Sequence, residues 1–232
     1  MFRLVPPSDL DLVSRSFDLD FGVRNGIRVT LVAVTVQPDY ILIGSDSQLT
    51  EAPEGLRSTI KKLQRHNSAP LAWGTSGNPA LGIDRFTDWL KSCPWPPKSK
   101  AAFQDSVAKK VAEINGKQRE HCKSAGVDPT EEELFSVLVT AWIDDEAFVL
   151  AVDNRGVIAS IEALSFHAIG SGRIFAKVVN TTINSLTTSP FSNWVERFRF
   201  TVTLVASIAP ACSSPTAIWK LERSGITELS GK

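Results

Sequence analysis

Cysteine is scarce in this chain. The three cysteines are odd in number and lie far apart in the sequence: Cys93, Cys122 and Cys212. Such spacing predicts neither a disulfide framework nor a cysteine-based zinc motif. Without disulfides to form, we expect the protein to work in a reducing, cytoplasmic compartment.

Long apolar runs and an excess of either charge are also missing. No segment approaches the roughly 20 apolar residues of a membrane-spanning helix, and residues 1–7, MFRLVPP, lack the apolar centre of a signal peptide. We therefore expect no membrane partner. Lys plus Arg equals Asp plus Glu, at 25 each, which argues against nucleic-acid binding. The isolated His66, His121 and His167 predict no metal site, and no cofactor is expected.

The 232 residues, 43% of them hydrophobic, are enough for one well-packed domain. We place this domain at residues 30–232. Residues 1–29 are polar and irregular, with Pro6-Pro7 followed by several aspartates. Two interpretations of them stay open: a surface extension, or a propeptide or assembly segment.

The most informative stretch runs from Thr30 to Lys62. Two β-branched-rich runs, at 30–36 and 40–45, flank Gln37-Pro38-Asp39 and predict a β-hairpin. Thr30 begins the first strand, Asp46 follows the second, and Lys62 precedes the next apolar run. Each of the last two residues lies 16 positions after the one before it. Paired strands can therefore bring a hydroxyl, a carboxylate and an ammonium together.

The remaining pattern alternates between strands and pairs of helices. Phe103, Val107, Val111 and Ile114 form one helical stripe, and Ser189-Pro190 predicts the start of the last helix. The order of strands, two helices, strands, two helices and strands suits two stacked sheets, each with helices outside it.

Several short motifs together resemble the proteasome β-subunit and heat-shock-locus peptidase family of N-terminal-nucleophile hydrolases. They are strand-initial Thr30, Ser45-Asp46-Ser47-Gln48, Thr50, Lys61-Lys62-Leu63, Gly74-Thr75-Ser76-Gly77, His167–Gly172 and Cys212–Pro215. The resemblance implies an α+β, four-layer αββα sandwich. It also implies a threonine peptidase that cleaves peptides or unfolded proteins inside a ring of subunits, together with an ATPase partner.

The same resemblance implies a role for each matching residue. Thr30 would be the nucleophile once the bond to Val29 is cut, with its own free amine as the base. Lys62 would lower the pKa of the Thr30 hydroxyl, and Asp46 would hold Lys62. The expected oxyanion and supporting residues are Ser76, Gly77, Ser171 and Ser213. The expected substrate-binding residues are Leu49, Thr50, Ile60 and Gly74, with Gly74 leaving a roomy specificity pocket.

Other interpretations remain open at this stage. Thr30 can be an ordinary strand threonine, and Asp46 with Lys62 a surface ion pair worth roughly 0–1 kcal/mol. Val29 replaces the glycine that the family usually has before the nucleophile, and Pro210 stands where a supporting aspartate is expected. With its extension intact, the protein would be a non-catalytic ring subunit or scaffold. An amidase acting on small amides is a third hypothesis.

Overall fold

The computed structural model describes residues 31–51, 56–59, 61–77, 82–126, 128–129, 134–154, 156, 158–186, 190–209, 212 and 216–229. Twelve strands lie in these ranges: β1 Val32–Val36, β2 Ile41–Ser45, β3 Gln48–Glu51, β4 Leu56–Thr59, β5 Leu63–Arg65, β6 Leu71–Ser76, β7 Ser136–Ile143, β8 Glu146–Val152, β9 Ile158–Ser160, β10 Phe166–Ile169, β11 Ala217–Glu222 and β12 Gly225–Glu228. Four helices accompany them: α1 Asp84–Ser92, α2 Lys100–Ser124, α3 Arg173–Ser185 and α4 Trp194–Ile208.

The predicted hairpin is present as β1 and β2. The two strands pair antiparallel from Val32 opposite Ser45 to Val36 opposite Ile41. Within the connection the Gln37 N–H donates to the Tyr40 carbonyl at 2.8 Å. Every residue of both strands is buried, which explains why the two runs are apolar on both faces rather than alternating.

Two five-stranded antiparallel sheets carry most of the described strands. The first has the order β10-β1-β2-β11-β12, and the second has the order β5-β6-β7-β8-β9. They share one apolar core, to which the first sheet contributes Val32 and Ile43 and the second contributes Leu63, Leu138 and Trp142. The ends of β2 and β5 are thereby placed against each other across this core.

Each sheet also packs against a pair of helices. Helices α1 and α2 contact the second sheet, and α3 and α4 contact the first. The predicted stripe on α2 is confirmed, because Phe103, Val107, Val111 and Ile114 are all buried. Two further residues of α2, Asn115 and Gln118, are buried although their side chains are polar.

The predicted start of the last helix is wrong. Helix α4 begins at Trp194, and its N-cap is Asn193, whose side chain accepts a hydrogen bond from the Glu196 N–H at 3.0 Å. Glu196 in turn accepts from the N–H of Ser192 at 3.1 Å. This reciprocal capping determines the start of the helix, whereas Pro190 lies four residues before Trp194.

The prediction of a four-layer αββα sandwich is wrong for this chain. The described residues form two five-stranded antiparallel sheets, a separate two-stranded sheet of β3 and β4, and four helices. The order of elements along a sequence shows which are neighbours in the chain, but not how strands divide among sheets. Among the described residues, strand β3, which begins two residues after Asp46, pairs with β4 and belongs to neither of the larger sheets.

Candidate functional site

Asp46 and Lys62 meet where the two large sheets come together. Asp46 follows the last residue of β2 in the first sheet, and Lys62 precedes the first residue of β5 in the second. The Lys62 Nζ donates to both carboxylate oxygens of Asp46, at 2.8 Å each. Asp46 is 1% exposed and Lys62 2%, so the pair is an internal link between the sheets and not a surface ion pair.

The backbone of Leu31 is held by the same carboxylate. The Leu31 N–H donates to Asp46 Oδ1 at 2.7 Å, and the Asp46 N–H donates to the Leu31 carbonyl at 3.2 Å. These two bonds extend the β1–β2 ladder by one residue, with a side chain as one of the acceptors. Asp46 therefore fixes the chain at the residue directly after Thr30.

Burial decides the electrostatics of the pair. Removal from water lowers the pKa of Lys62 from its ordinary value of 10.5, and the negative charge of Asp46 opposes that effect. The two short hydrogen bonds from one ammonium to one carboxylate are charge-assisted, which offsets part of the cost of burying both groups. The result is a buried ion pair whose carboxylate also accepts a hydrogen bond from the Leu31 N–H.

Cys212 belongs to the same buried cluster, which the sequence did not predict. Its thiol is 6% exposed, and burial together with the charge of Asp46 raises its pKa to about 12. A β-carbon placed on Gly172 would lie 3.1 Å from Cys212 Sγ and 3.2 Å from Leu31 Cβ. Cys212 therefore packs as a protonated thiol beside Gly172 and Leu31. No spacing pattern links a cysteine in one loop to strands so distant in sequence.

The predicted oxyanion residues lie near this end of the second sheet. Leu63 pairs with Gly74, so the chain after Gly74 runs beside Lys62 and leads to Ser76 and Gly77. Gly77 has φ +107°, and a β-carbon there would come within 2.5 Å of the Leu134 carbonyl oxygen. Only glycine fits that conformation without strain.

The other predicted residues are distributed around the pair or fall outside the described ranges. Ser171 lies in the turn between β10 and α3, and Leu49 and Thr50 lie on β3. Thr30, Ile60 and Ser213, with Val29 and Pro210, lie outside the described residues.

Gly74 does not open a roomy pocket. A β-carbon at this position would lie 2.4 Å from Val32 Cγ1 and 3.0 Å from Leu63 Cδ2, so the space beside Gly74 is already filled by core side chains. The expectation is wrong because the missing side chain points into the core between the sheets. Glycine at position 74 lets β1 and β6 approach closely.

Two buried hydroxyl groups directly follow residues of this region in the sequence. Ser47 follows Asp46, and Thr75 follows Gly74; both residues are buried, and neither hydroxyl oxygen makes a hydrogen bond in the described part of the chain. A buried hydroxyl that forms no hydrogen bond costs free energy. The sequence motif that contains Ser47 does not indicate that the Ser47 side chain is buried.

Within the described ranges, no group of three or more His, Cys, Asp and Glu side chains is arranged to hold a metal ion. In the same ranges no helix has both the length and the apolar character needed to cross a membrane. The groups that the site offers are a buried ammonium, a carboxylate, a protonated thiol and backbone amides.

Solved structures share this architecture. Anbu (ancestral beta-subunit) from Yersinia bercovieri superposes with a TM-score of 0.64 at 13% sequence identity, over 88% of this chain and 88% of that one. An Anbu (Gly-1) mutant from Hyphomicrobium sp. strain MC1 gives a TM-score of 0.63 at 14% identity, over 88% of this chain and 89% of that one. The chain has an Anbu-like fold. No family model and no curated protein sequence matches it.

The Anbu-like fold corrects the family resemblance. The structural neighbours are Anbu proteins, which are proteasome-like but distinct from the proteasome β-subunits and heat-shock-locus peptidases that the motifs resemble. Thr, Asp and Lys are common residues, so short motifs built from them do not separate one proteasome-like family from another. The superpositions support an Anbu-like, proteasome β-subunit-related fold for this chain.

Proposed function

We propose that this protein is a threonine peptidase that cleaves peptide bonds after Thr30 becomes its N-terminus. The observation that carries the proposal is the buried Asp46–Lys62 pair, hydrogen-bonded to the N–H of Leu31. The Thr30 carbonyl carbon is covalently bonded to that nitrogen, so the Thr30 Cα lies about 2.4 Å from it. A nucleophile at Thr30 would lie next to this buried ion pair.

The chemistry follows from the groups that surround this position. A free α-amine, with a pKa of about 7.7–8.0, is the base for its own residue's hydroxyl near neutral pH. The Lys62 ammonium favours the alkoxide, and Asp46 orients Lys62. The backbone N–H at Ser76 or Gly77 would bind the oxyanion of the tetrahedral intermediate.

The remaining predicted residues fit the same proposal as supporting and substrate-binding groups. Ser171 and Ser213 would support the site around Thr30. Thr50 would pair with the substrate backbone as an added strand. Leu49 and Ile60 would contact its side chains. In this scheme residues 1–29 are a segment that is removed.

We further propose that copies of the chain assemble into rings that enclose the substrate, a peptide or unfolded protein delivered by an ATPase partner. The outer faces of α3 and α4 support assembly, because Ile174, Val178, Phe200 and Ile208 are 44–61% exposed. Closed symmetric assemblies are the usual way to cover such faces. Mass photometry at micromolar concentration should show multiples of 25.3 kDa; a 25.3 kDa species alone would contradict the assembly.

Cleavage of the Val29–Thr30 bond is the decisive test. Val29 is β-branched and crowds the carbonyl that Thr30 must attack, a strain of about 1–3 kcal/mol that slows the reaction roughly ten- to a hundredfold. Intact-mass spectrometry should therefore show slow conversion to a chain that begins at Thr30. Thr30→Ala should stay full length, and Val29→Gly should process faster.

A second candidate function is a non-catalytic ring subunit that keeps its extension, and Val29 is the feature that favours it. Wild-type protein that stays full length after prolonged incubation in its assembled state would support this scaffold. Val29→Gly would then show whether the rest of the site is competent.

The role of Lys62 is tested separately by activity. Lys62→Ala should abolish hydrolysis of an acyl-peptide reporter by processed protein. Lys61→Ala, which removes an exposed neighbouring lysine, should leave hydrolysis near the wild-type rate. Melting curves of both variants separate loss of chemistry from loss of fold. A Lys62→Ala protein that turns over the reporter at the wild-type rate rules out the assigned role.

A further inference from the structure

A polar cleft lies at the far end of β5 from Lys62. The connection between β5 and β6 forms one wall, and the turn between β11 and β12 forms the other. The residues considered below are Arg65, His66 and Ser68 on the first wall and Arg223 and Ser224 on the second, and we call this site the arginine cleft. Its volume of about 540 Å³ is within the range of small-ligand sites.

Arg223 is held in place before any ligand arrives. Its guanidinium carbon lies 4.5 Å from the centroid of the Trp142 ring, and its Nε donates to the Asp145 carbonyl at 3.3 Å. Stacking on an aromatic face and one backbone hydrogen bond fix the plane of the guanidinium. Neither contact uses the two terminal nitrogens, and a side chain held in this way loses less entropy on binding.

The opposite wall supplies further donors. Arg65 ends β5 with an exposed side chain, and it forms no ion pair within the described ranges. The Ser68 N–H donates to His66 Nδ1 at 3.3 Å, so the ring's Nε2 carries the hydrogen in the neutral tautomer. The cleft therefore presents two guanidinium groups, an imidazole N–H and the hydroxyl groups of Ser68 and Ser224.

The negative charges nearby do not cancel this cluster. Among the ion pairs of the described residues, Arg223 pairs with Asp145, whose Oδ1 lies 4.0 Å from the Arg223 Nε. The Asp145 side chain, however, is 92% exposed. An exposed pair at that distance is weak, because water screens both charges. Glu222 is engaged by Lys220, whose Nζ lies 2.6 Å from its Oε1. The walls of the cleft keep a net positive charge.

We propose that the arginine cleft binds a small oxyanion carrying at least two negative charges on phosphate or carboxylate groups. Planar guanidinium groups bind both kinds of oxyanion through paired N–H donors, and two of them on opposite walls suit a ligand with two anionic ends. The site is separate from the Asp46–Lys62 pair, because the three residues from Lys62 to Arg65 span about 10 Å of extended chain. It needs neither Thr30 nor hydrolysis.

Isothermal titration calorimetry of the full chain tests the proposal. Pyrophosphate and citrate are titrated separately, with ionic strength held constant by sodium chloride. We expect one of them to bind at one molecule per chain. Pyrophosphate without citrate identifies a phosphate ligand, and citrate without pyrophosphate identifies a carboxylate ligand. No saturable heat from either anion overturns the proposal.

Variants then locate the binding. Arg65→Gln and Arg223→Lys should each weaken the binding at least tenfold, the second because lysine keeps the charge and loses the paired donors. Arg119→Gln is the matched control, since Arg119 is exposed on α2, away from the cleft, and donates to the Asn154 carbonyl at 3.2 Å. Equal weakening by all three variants would reveal non-specific charge attraction and overturn the site. Melting temperatures of the variants exclude loss of fold as the cause.

Discussion

Replacing Lys62 with methionine should be one of the most damaging single changes to the stability of this protein. The variant keeps an apolar side chain of similar length but removes the ammonium that donates to both Asp46 oxygens at 2.8 Å. The Asp46 carboxylate, 1% exposed, then stays buried without its counter-charge. A hydrogen bond from the N–H of Leu31 does not replace a full positive charge.

The magnitude follows from this burial. Removing one partner of a buried ion pair typically costs about 3–5 kcal/mol. That is a large share of the roughly 5–15 kcal/mol by which domains are stable. For a chain of this length the melting temperature should fall by roughly 6–20 °C.

The loss should also depend on pH. In the variant the buried carboxyl has a folded-state pKa above its unfolded value of about 3.9, because burial favours the neutral acid. Its contribution to stability is then fully present below pH 3.9 and is lost as the pH rises through the folded pKa. The difference between wild type and variant should therefore shrink as the pH is lowered from 7.

Urea unfolding at pH 7 and at pH 5 measures both effects. Lys117→Met is the matched control, because Lys117 pairs with the exposed Glu113 at 2.7 Å, and losing an exposed pair should change the stability far less. Adding Asp46→Asn to Lys62→Met should recover much of the loss, since the amide oxygen still accepts from Leu31 without a charge. If Lys62→Met costs no more than Lys117→Met, the pair is hydrated and the reasoning fails.

Two further predictions concern positions away from the pair. Gly74→Ala should destabilise the protein by about 1–3 kcal/mol, because its new methyl group would lie 2.4 Å from Val32 Cγ1. Gly116→Ala, inside α2 with open space around the position, should instead stabilise the protein by about 0.5–1 kcal/mol. Thermal unfolding checks both signs, and a neutral Gly74→Ala would contradict the close approach of the strands. Burial lowers the pKa of His167 in the folded protein from its ordinary value of 6.5. The stability that neutral His167 contributes is therefore present above pH 6.5 and is lost as the pH falls through the folded-state pKa. The slope of the free energy of unfolding is at most about 1.36 kcal/mol per pH unit. Unfolding between pH 5 and 7.5 should show a flatter profile for His167→Gln than for the wild-type protein; identical profiles for the two would refute the assignment.

The sequence predicts those parts of the fold that depend on near neighbours. The stripe from Phe103 to Ile114 and the hairpin around Pro38-Asp39 follow from periodicity and turn chemistry, which operate within a few residues. The start of α4 was missed because Asn193 and Glu196 outweigh the proline signal at Ser189-Pro190. The division of strands among sheets was missed because it depends on long-range pairing.

Two members of the buried cluster, Asp46 and Lys62, could be predicted from the sequence, but their geometry could not. Spacing and strand order point to Asp46 and Lys62, yet nothing in the sequence shows that the pair is buried or that Leu31 donates to the same carboxylate. Gly74 shows the opposite error, since a motif position was assigned to a pocket while its environment is the core. A contact such as that of Cys212 with Gly172 depends on three-dimensional packing alone.

The hydrogen bond between Asp46 and Leu31, with the Lys62 ammonium behind it, has a consequence for how such a chain can change over time. Each partner of the pair is costly to lose alone. Replacing the pair therefore takes two substitutions, and whichever comes first gives a less stable protein. A descendant with no activity at Thr30 would still be under pressure to keep both residues for stability. Relatives of this protein should therefore vary at position 30 more readily than at the pair.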